Sequence, residues 1–296
     1  MERNVVAESV EKICSFITEM ATRLKKEGGV LALSGGLDSA VVAAMAVKAL
    51  GSERMHLLHL YERDSQPIHR LHANMFAEQL GCMLISSSIS NLLRSAGSYS
   101  LLPIHLVPFR RLRAEIVQFA RKNVVKVEKD SVLISRLNAE ADSWEAKANA
   151  YAMAKHRIRM MLIYQYAEAH NLMVIGAANR TEWLTGTFTK FGVDHCADIM
   201  PIIHLYRSEV EDLASYLEIP EYICEKAADA DVLPGLEDKE QLLGDIKLVD
   251  KVLMAVEDKE NDQISIDGIE QEFIDRILEL IRLSEPMRAS PFHLER

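Results

Sequence analysis

The sequence predicts an α/β fold with a doubly wound parallel sheet, and three observations support this prediction. The apolar run at 30–33 leads through a Gly-Gly turn into an apolar helical stretch at 40–50. Further short apolar segments at 55–60 and 172–175 are separated by stretches with helical spacing. Strands that alternate with helices favour a parallel sheet, and such sheets bind ligands beyond the carboxyl ends of their strands.

The remaining elements follow from periodicity. Apolar residues at helical spacing from Val5 to Leu24 predict a helix that lies on the sheet or on a partner subunit. A helix is expected at 68–80 and a third strand at 83–86, and longer helices are expected at 139–170 and 207–217. We expect a single domain over 1–296, with a helical C-terminal extension at 238–296.

The region 95–140 has the loosest pattern, which predicts an insertion or lid. It contains the basic run Arg110–Arg113, which is either a solvated face, as charge runs usually are, or a segment that covers the site or contacts a partner. The stretch 124–135 alternates enough to suggest a strand or a loop.

Composition excludes several classes of function. A net charge of −10 argues against nonspecific binding to nucleic acid, whose phosphates attract basic proteins. The four cysteines are widely spaced and include no CxxC pair, so neither a zinc or iron–sulfur site nor a disulfide framework is indicated. No apolar run approaches the roughly 20 residues that span a bilayer, and the N-terminus lacks the apolar core of a signal peptide. We therefore expect a cytoplasmic protein without a membrane partner.

The segment 34–39, Ser-Gly-Gly-Leu-Asp-Ser, predicts an anion-binding turn. Glycines allow backbone N–H groups to converge, and the positive end of the following helix faces the same point. No Gly-Lys-Ser/Thr follows, so this is not the common nucleotide loop, and an ordinary strand-to-helix turn is the alternative. The string resembles the SGGxDS loop of the ATP pyrophosphatases, which split ATP between its α and β phosphates.

A polar segment, Tyr61 to Ser65, directly follows the second strand. At the carboxyl end of a strand it would overhang a nucleotide, where Arg63 would meet a phosphate or the adenine ring. A solvated turn is the alternative interpretation.

Behind the glycine turn, four more segments occur in order: KHRIRM at 155–160, GAANRTE at 176–182, TGTFTKFG at 185–192 and ADIMPI at 197–202. Together they closely resemble the NAD synthetase family, from the first strand to about residue 243. The resemblance implies an adenine-nucleotide α-hydrolase-like fold. It also implies an activity: ATP adenylates the nicotinate carboxylate of deamido-NAD, ammonia displaces AMP, and pyrophosphate is released.

The resemblance also implies a role for individual residues. Asp38, Ser39 and Lys190 would be catalytic, and Mg²⁺ would be held by Asp38 and Glu182, since carboxylate oxygens suit this hard cation. The ATP-binding positions would be Ser34, Gly35, Gly36, Leu37, Asp38, Ser39, Ala177, Arg207 and Asp229. The positions that bind the acid would be Arg157, Lys190, Asp198 and Arg288.

This sequence departs from the family pattern at several of these positions. Ala177 replaces a common threonine, Asp229 replaces a Ser or Thr, and Arg207 replaces a lysine. The 193–196 turn is one residue longer than usual, and Pro286-Met287 stands where the family has His-Lys before the arginine. An amide ligase for a different small carboxylic acid is therefore the alternative, with a binding protein that lost catalysis third. Free ammonia, or ammonia from a separate subunit, and a homodimer are expected.

Overall fold

In a computed structural model, the structure describes residues 2–102, 106–107, 109–123, 132–193, 195–225, 244–258, 264–289, 291 and 293–294. The expected ATP position Asp229 lies outside these residues, as does the 124–131 part of the stretch expected to be a strand or a loop. The remainder of that stretch is helical, which corrects the expectation for 132–135.

A parallel sheet forms the centre of the chain, as predicted. Its strands are β1 (Gly28–Ala32), β2 (Met55–Tyr61), β3 (Met83–Ser88) and β4 (Leu172–Ile175), in the order β3-β2-β1-β4. All pairs are parallel, with Leu31 opposite Leu57 and Ile175. An isolated parallel bridge joins Ile175 to Ile199, which lies in the ADIMPI segment at 197–202.

Helices cover both faces of the sheet, which confirms the doubly wound α/β fold with additional C-terminal helices. Before β4 lie α1 (Arg3–Arg23), α2 (Leu37–Leu50), α3 (Pro67–Gln79), α4 (Ser90–Ser95), α5 (Arg110–Asn123), α6 (Val132–Leu137) and α7 (Trp144–Ala169). After β4 lie α8 (Arg180–Thr185), α9 (Arg207–Tyr216), α10 (Glu221–Cys224), α11 (Ile246–Glu257) and α12 (Gln271–Arg288). No helix within the described ranges is long and apolar enough to cross a membrane.

The apolar stripe of α1 packs inside the chain. Its buried residues Val6, Val10, Ile13 and Ile17 join one core with α2 and α9. This arrangement buries the stripe without a partner subunit, mainly against α2 and α9.

A second core lies on the opposite face of the sheet, beneath α7, and a third joins α11 to α12. The third core also contacts Leu184 of α8 and Tyr206 at the start of α9. The C-terminal helices therefore support the two elements that follow the β4 end of the sheet.

Candidate active site

The 34–39 turn lies at the carboxyl end of β1, where the sequence places it. Its hydroxyls are organised by local hydrogen bonds: the Ser34 and Ser39 oxygens are 3.0 Å apart, and the Gly36 N–H donates to Ser34 Oγ at 3.1 Å. Gly36 is the N-cap of α2 and provides no side-chain cap. The first N–H groups of α2 consequently remain available to an anion.

Gly35 explains why this turn requires glycine. Its φ is +77°, a left-handed backbone that L side chains rarely adopt. A Cβ at this position would lie 2.6 Å from the carbonyl oxygen of His69 at the start of α3. The turn is therefore held against α3 at a distance that only glycine permits.

Asp38 and Glu182, the two carboxylates expected to hold Mg²⁺, are linked through Asn179. The Asn179 side chain donates to Asp38 Oδ1 at 3.0 Å and accepts from the Glu182 N–H at 2.9 Å. The Glu182 carboxylate in turn accepts from the Asn179 N–H, which completes a capping box at the start of α8. The structure thus brings both carboxylates to one place.

Arg207 also lies at this place. Its Nη1 is 2.5 Å from Asp38 Oδ2, and the charge of Asp38, followed by that of Glu182, raises the pKa of the Arg207 guanidinium, which burial opposes. Arg207 replaces the lysine that the family has near ATP, and the contact places a cation beside the proposed phosphate site.

A buried carboxylate from α11 fixes the backbone of Arg207. Asp250 is 1% exposed and accepts from Thr181 Oγ1 at 2.6 Å and from the Ser208 N–H at 2.8 Å. The Thr181 hydroxyl accepts from the Arg207 N–H at 2.9 Å. The start of α9 is therefore capped through two side chains that sequence reasoning did not identify.

The segment after β2 is not a solvated turn, which corrects that interpretation. Glu62 is 2% exposed and accepts from Lys155 Nζ at 2.7 Å and from the Tyr99 hydroxyl at 2.8 Å. Arg63 stacks over the Tyr99 ring, with its Cζ 3.7 Å from the ring centroid. Arg63 thus packs against Tyr99, and its expected contact with a nucleotide stays a prediction.

The basic run on α5 is only partly solvated. Arg113 is 4% exposed and donates to Asp64 Oδ1 at 2.6 Å, and Arg110 donates to the Asp64 carbonyl at 2.7 Å. The Tyr151 hydroxyl also donates to Asp64, at 2.8 Å, and burial raises the pKa of this tyrosine. These bonds fasten α5 and α7 to the carboxyl end of β2.

Three of the four residues expected to bind the acid form a second group, near the end of α12; the fourth, Asp198, lies apart from these contacts. Arg157 Nε lies 3.3 Å from the Lys190 carbonyl oxygen, and Lys190 Nζ lies 2.5 Å from the Pro286 carbonyl oxygen. Arg288 donates to the Leu184 carbonyl at 2.9 Å and to Ser284 Oγ at 2.6 Å. These three cations bind neutral oxygens.

The structure also shows the contacts of two other expected site residues, Asp198 and Ala177. Asp198 accepts from the Val174 N–H at 2.8 Å and from the Tyr164 hydroxyl at 3.2 Å, so it is tied to β4 and α7. Ala177 is partly buried against the core beneath α2.

Sequence reasoning missed Asn179, Thr181 and Asp250. Asn179 had a readable signal, because Asn followed three residues later by Glu is a capping-box pattern at a helix start. Asp250 had no such signal in the sequence, because it lies 69 residues from its partner Thr181 and no local pattern links the two.

Comparisons with known proteins point to one family. A model of the NAD synthase family matches residues 9–105 and 111–291. The NH(3)-dependent NAD(+) synthetase of Thermotoga maritima is 36% identical over 94% of this chain and 96% of its own length. The enzyme of the same name from Methanocaldococcus jannaschii is 32% identical, over 96% and 95%.

Solved structures show the same architecture. An NMN synthetase from Francisella tularensis superposes with a TM-score of 0.71 at 26% identity, covering 98% of this chain and 99% of that one. An NH3-dependent NAD synthetase from Campylobacter jejuni gives a TM-score of 0.68 at 24% identity, with all of both chains covered, and supports the fold.

Proposed function

This chain belongs to the NAD synthase family, and on that premise we propose that it is an ammonia-dependent NAD⁺ synthetase. The reaction is a carbon–nitrogen ligation in which ATP adenylates the nicotinate carboxylate of deamido-NAD and ammonia displaces AMP. The observation that carries the proposal is the contact between the 34–39 turn and the start of α8. Asp38 of the turn accepts a hydrogen bond from Asn179, which also accepts one from the Glu182 N–H. We further propose that 1–296 is one catalytic domain in the cytoplasm.

The 34–39 turn would stabilise pyrophosphate as it leaves ATP. The open N–H groups at the start of α2 and the Ser34 and Ser39 hydroxyls provide donors that are fixed before the reaction. Arg207 contributes positive charge at the same point. Because these groups are already oriented, they stabilise the developing charge without reorganisation.

Asp38 and Glu182 fit Mg²⁺ because both provide carboxylate oxygens and Asn179 links them. Within the described residues no group of three or more His, Cys, Asp or Glu side chains is arranged for a metal. Two carboxylates suffice for Mg²⁺, which takes its other ligands from phosphates and water. When bound, Mg²⁺ would neutralise phosphate charge.

The cysteines support ammonia as the nitrogen donor. Burial raises the pKa of the thiols of Cys14, Cys82, Cys196 and Cys224. A glutamine amidase uses an activated, low-pKa cysteine, and none of these four has that character. Ammonium rather than glutamine is the expected substrate in an assay.

The decisive variant is Asp38→Asn, which keeps the shape of the side chain and removes its charge. We expect AMP and pyrophosphate formation from ATP, deamido-NAD and ammonium to fall at least 100-fold, in the range seen when one transition-state contact is lost. Asp275→Asn, on the exposed face of α12, is the matched control and should keep full activity. Unchanged AMP formation in Asp38→Asn would contradict the proposal.

A second candidate, NMN synthesis from nicotinic acid mononucleotide, is favoured by one comparison. The Francisella NMN synthetase matches almost the whole chain with a TM-score of 0.71. The departure at Pro286-Met287 also falls on the acid side of the site. Parallel assays of AMP formation with the two acids decide between them: the substrate with the higher kcat/KM is the physiological class.

We also propose a homodimer, supported by α5. Leu112, Ile116 and Phe119 are 45%, 39% and 65% exposed and share one helix face. Sedimentation of the wild-type chain should give a dimer, and Leu112→Glu with Ile116→Glu should shift it toward monomer. A wild-type monomer at all concentrations would exclude this assembly.

A further inference from the structure

Four cations meet around the 186–190 loop and the last turn of α12. Lys190, Arg157 and Arg288 come from the segments discussed above, and Arg136 comes from α6. Arg136 Nη2 lies 2.5 Å from the carbonyl oxygen of Gly186. All four donate to uncharged oxygens.

These cations lack matching carboxylates. Among the described residues none of the four forms an ion pair, although the chain carries a net charge of −10. Glu285 is close enough to raise the pKa of Arg288, but burial, the largest cause, lowers it. Burial also lowers the pKa of Arg136 to about 10. A partly buried cation without an acid, such as Arg136 or Arg288, leaves positive potential that an anion would neutralise.

Arg136 retains donors for such an anion. Its guanidinium has five N–H groups, and Nη2 is the atom that bonds Gly186. Within the part of the chain that the structure describes, its Nε and Nη1 make no hydrogen bond. Gly186 keeps the end of α8 close to α12: it has φ +73°, and a Cβ there would lie 2.4 Å from Ser284 Cβ.

We propose that Arg136 binds a phosphate of the acid substrate and is a specificity-determining residue; this rests on the proposed function. Deamido-NAD and nicotinic acid mononucleotide share a 5′-phosphate on the nicotinate ribose. The carboxylate is the other anion, but it loses its charge on adenylation, so a strong ion pair to it would stabilise the reactant over the transition state. A phosphate keeps its charge throughout, so binding it improves recognition without that cost.

A purely structural role for Arg136 makes a different prediction. If it only caps the carbonyl end of α8, its loss would destabilise the protein and affect every substrate equally. Arg136→Gln separates the two roles, because the amide keeps an N–H donor for Gly186 and removes the charge. Arg111→Gln is the matched control, since Arg111 lies on α5 with its side chain 92% exposed.

The test compares nicotinic acid mononucleotide with nicotinic acid riboside, which lacks the phosphate. In Arg136→Gln we expect kcat/KM for the mononucleotide to fall about 10- to 100-fold, with no change for the riboside or for the KM of ATP. The kcat/KM of Arg136→Lys for the mononucleotide should lie between those of wild type and Arg136→Gln, because lysine keeps the charge and lacks the planar guanidinium. An equal loss on both acids, or no loss on either, would overturn the proposal.

A binding measurement keeps this test independent of turnover. Calorimetric titration with nicotinic acid mononucleotide should give a Kd about 10- to 100-fold higher for Arg136→Gln than for wild type or Arg111→Gln. A wild-type enzyme that binds the mononucleotide but forms AMP neither from it nor from deamido-NAD would contradict the proposed function alone. An unchanged Kd in Arg136→Gln, or no binding by wild type, would contradict the role of Arg136.

Discussion

The buried ion pair between Lys155 and Glu62, at the carboxyl end of β2, is expected to contribute strongly to the unfolding free energy, and this can be tested directly. Lys155 is fully buried on α7, and its Nζ lies 2.7 Å from Glu62 Oε1 and 4.5 Å from the centre of the Tyr151 ring. Lys155→Met keeps most of the apolar stem and removes the charge. The change leaves Glu62 buried with the Tyr99 hydroxyl as its remaining donor in the pairs described above.

The expected loss is large because the uncompensated charge remains inside. Removing one partner of a buried pair costs about 3–5 kcal/mol, a substantial part of a typical unfolding free energy of about 5–15 kcal/mol. For a chain of this size that corresponds to a fall in Tm on the order of 10 °C. Adding Glu62→Gln to Lys155→Met should recover most of the loss, since it removes the stranded charge and keeps an acceptor for Tyr99.

Urea denaturation at fixed protein concentration measures these differences, and the chain provides its own control. The Lys12–Glu8 pair has the same 2.7 Å separation, but its side chains are 74% and 64% exposed, so Lys12→Met should cause no measurable loss. If Lys155→Met and Lys12→Met lost the same unfolding free energy, burial of the ion pair would not determine how much its removal destabilises the protein. A double variant no more stable than Lys155→Met would show that stranded charge is not its source.

Three further predictions concern the turn, the α9 cap and pH. Gly35→Ala should weaken ATP binding at least tenfold, as measured by titration, because the added Cβ would lie 2.6 Å from the His69 carbonyl oxygen. Gly268→Ala is the control: Gly268 also has a positive φ, +78°, but a Cβ there has no neighbour within 4 Å, so ATP binding should not change. Asp250→Ala should cost about 2 kcal/mol of unfolding free energy in urea and raise the KM of ATP through Arg207. Burial lowers the pKa of His56, His195 and His204, so the unfolded chain binds more protons below about pH 6.5. The unfolding free energy should therefore fall between pH 7.5 and pH 5.5, and replacing all three with Asn should flatten that slope.

Local signals predicted much of the fold and of the site. The strand, Gly-Gly turn and helix from 28 to 50 are encoded within a single stretch, and the observed bounds agree with the pattern. The Mg²⁺ candidates Asp38 and Glu182 also proved to be neighbours, linked by a residue that carries its own capping signal. Their proposed roles stay predictions until the variants are measured.

The orientation of several α5 side chains could not be predicted from the sequence pattern, although Val117 of this helix is buried as an apolar residue should be. Arg110 and Arg113 point inward to Asp64, while Leu112 and Ile116 face outward. A hydrophobicity pattern assigns charged residues to water, so it assigns the wrong face to the core. Arg113 donates to the Asp64 carboxylate, 49 residues away, and Arg110 donates to the Asp64 backbone carbonyl. Such long-range contacts leave no periodic signal in the sequence.

The departure at Pro286-Met287 has a physical explanation at Lys190. The helix α12 ends at Arg288, so the Pro286 carbonyl is among the last four, which have no helical N–H partner. Lys190 Nζ takes this carbonyl as an acceptor at 2.5 Å, and the negative end of the helix favours a cation there. Because a backbone carbonyl is available from any residue type, the contact survives a change of side chain at this position. Binding of an anion by Lys190 would then exchange a neutral oxygen for a charged one, which strengthens the hydrogen bond rather than breaking an ion pair.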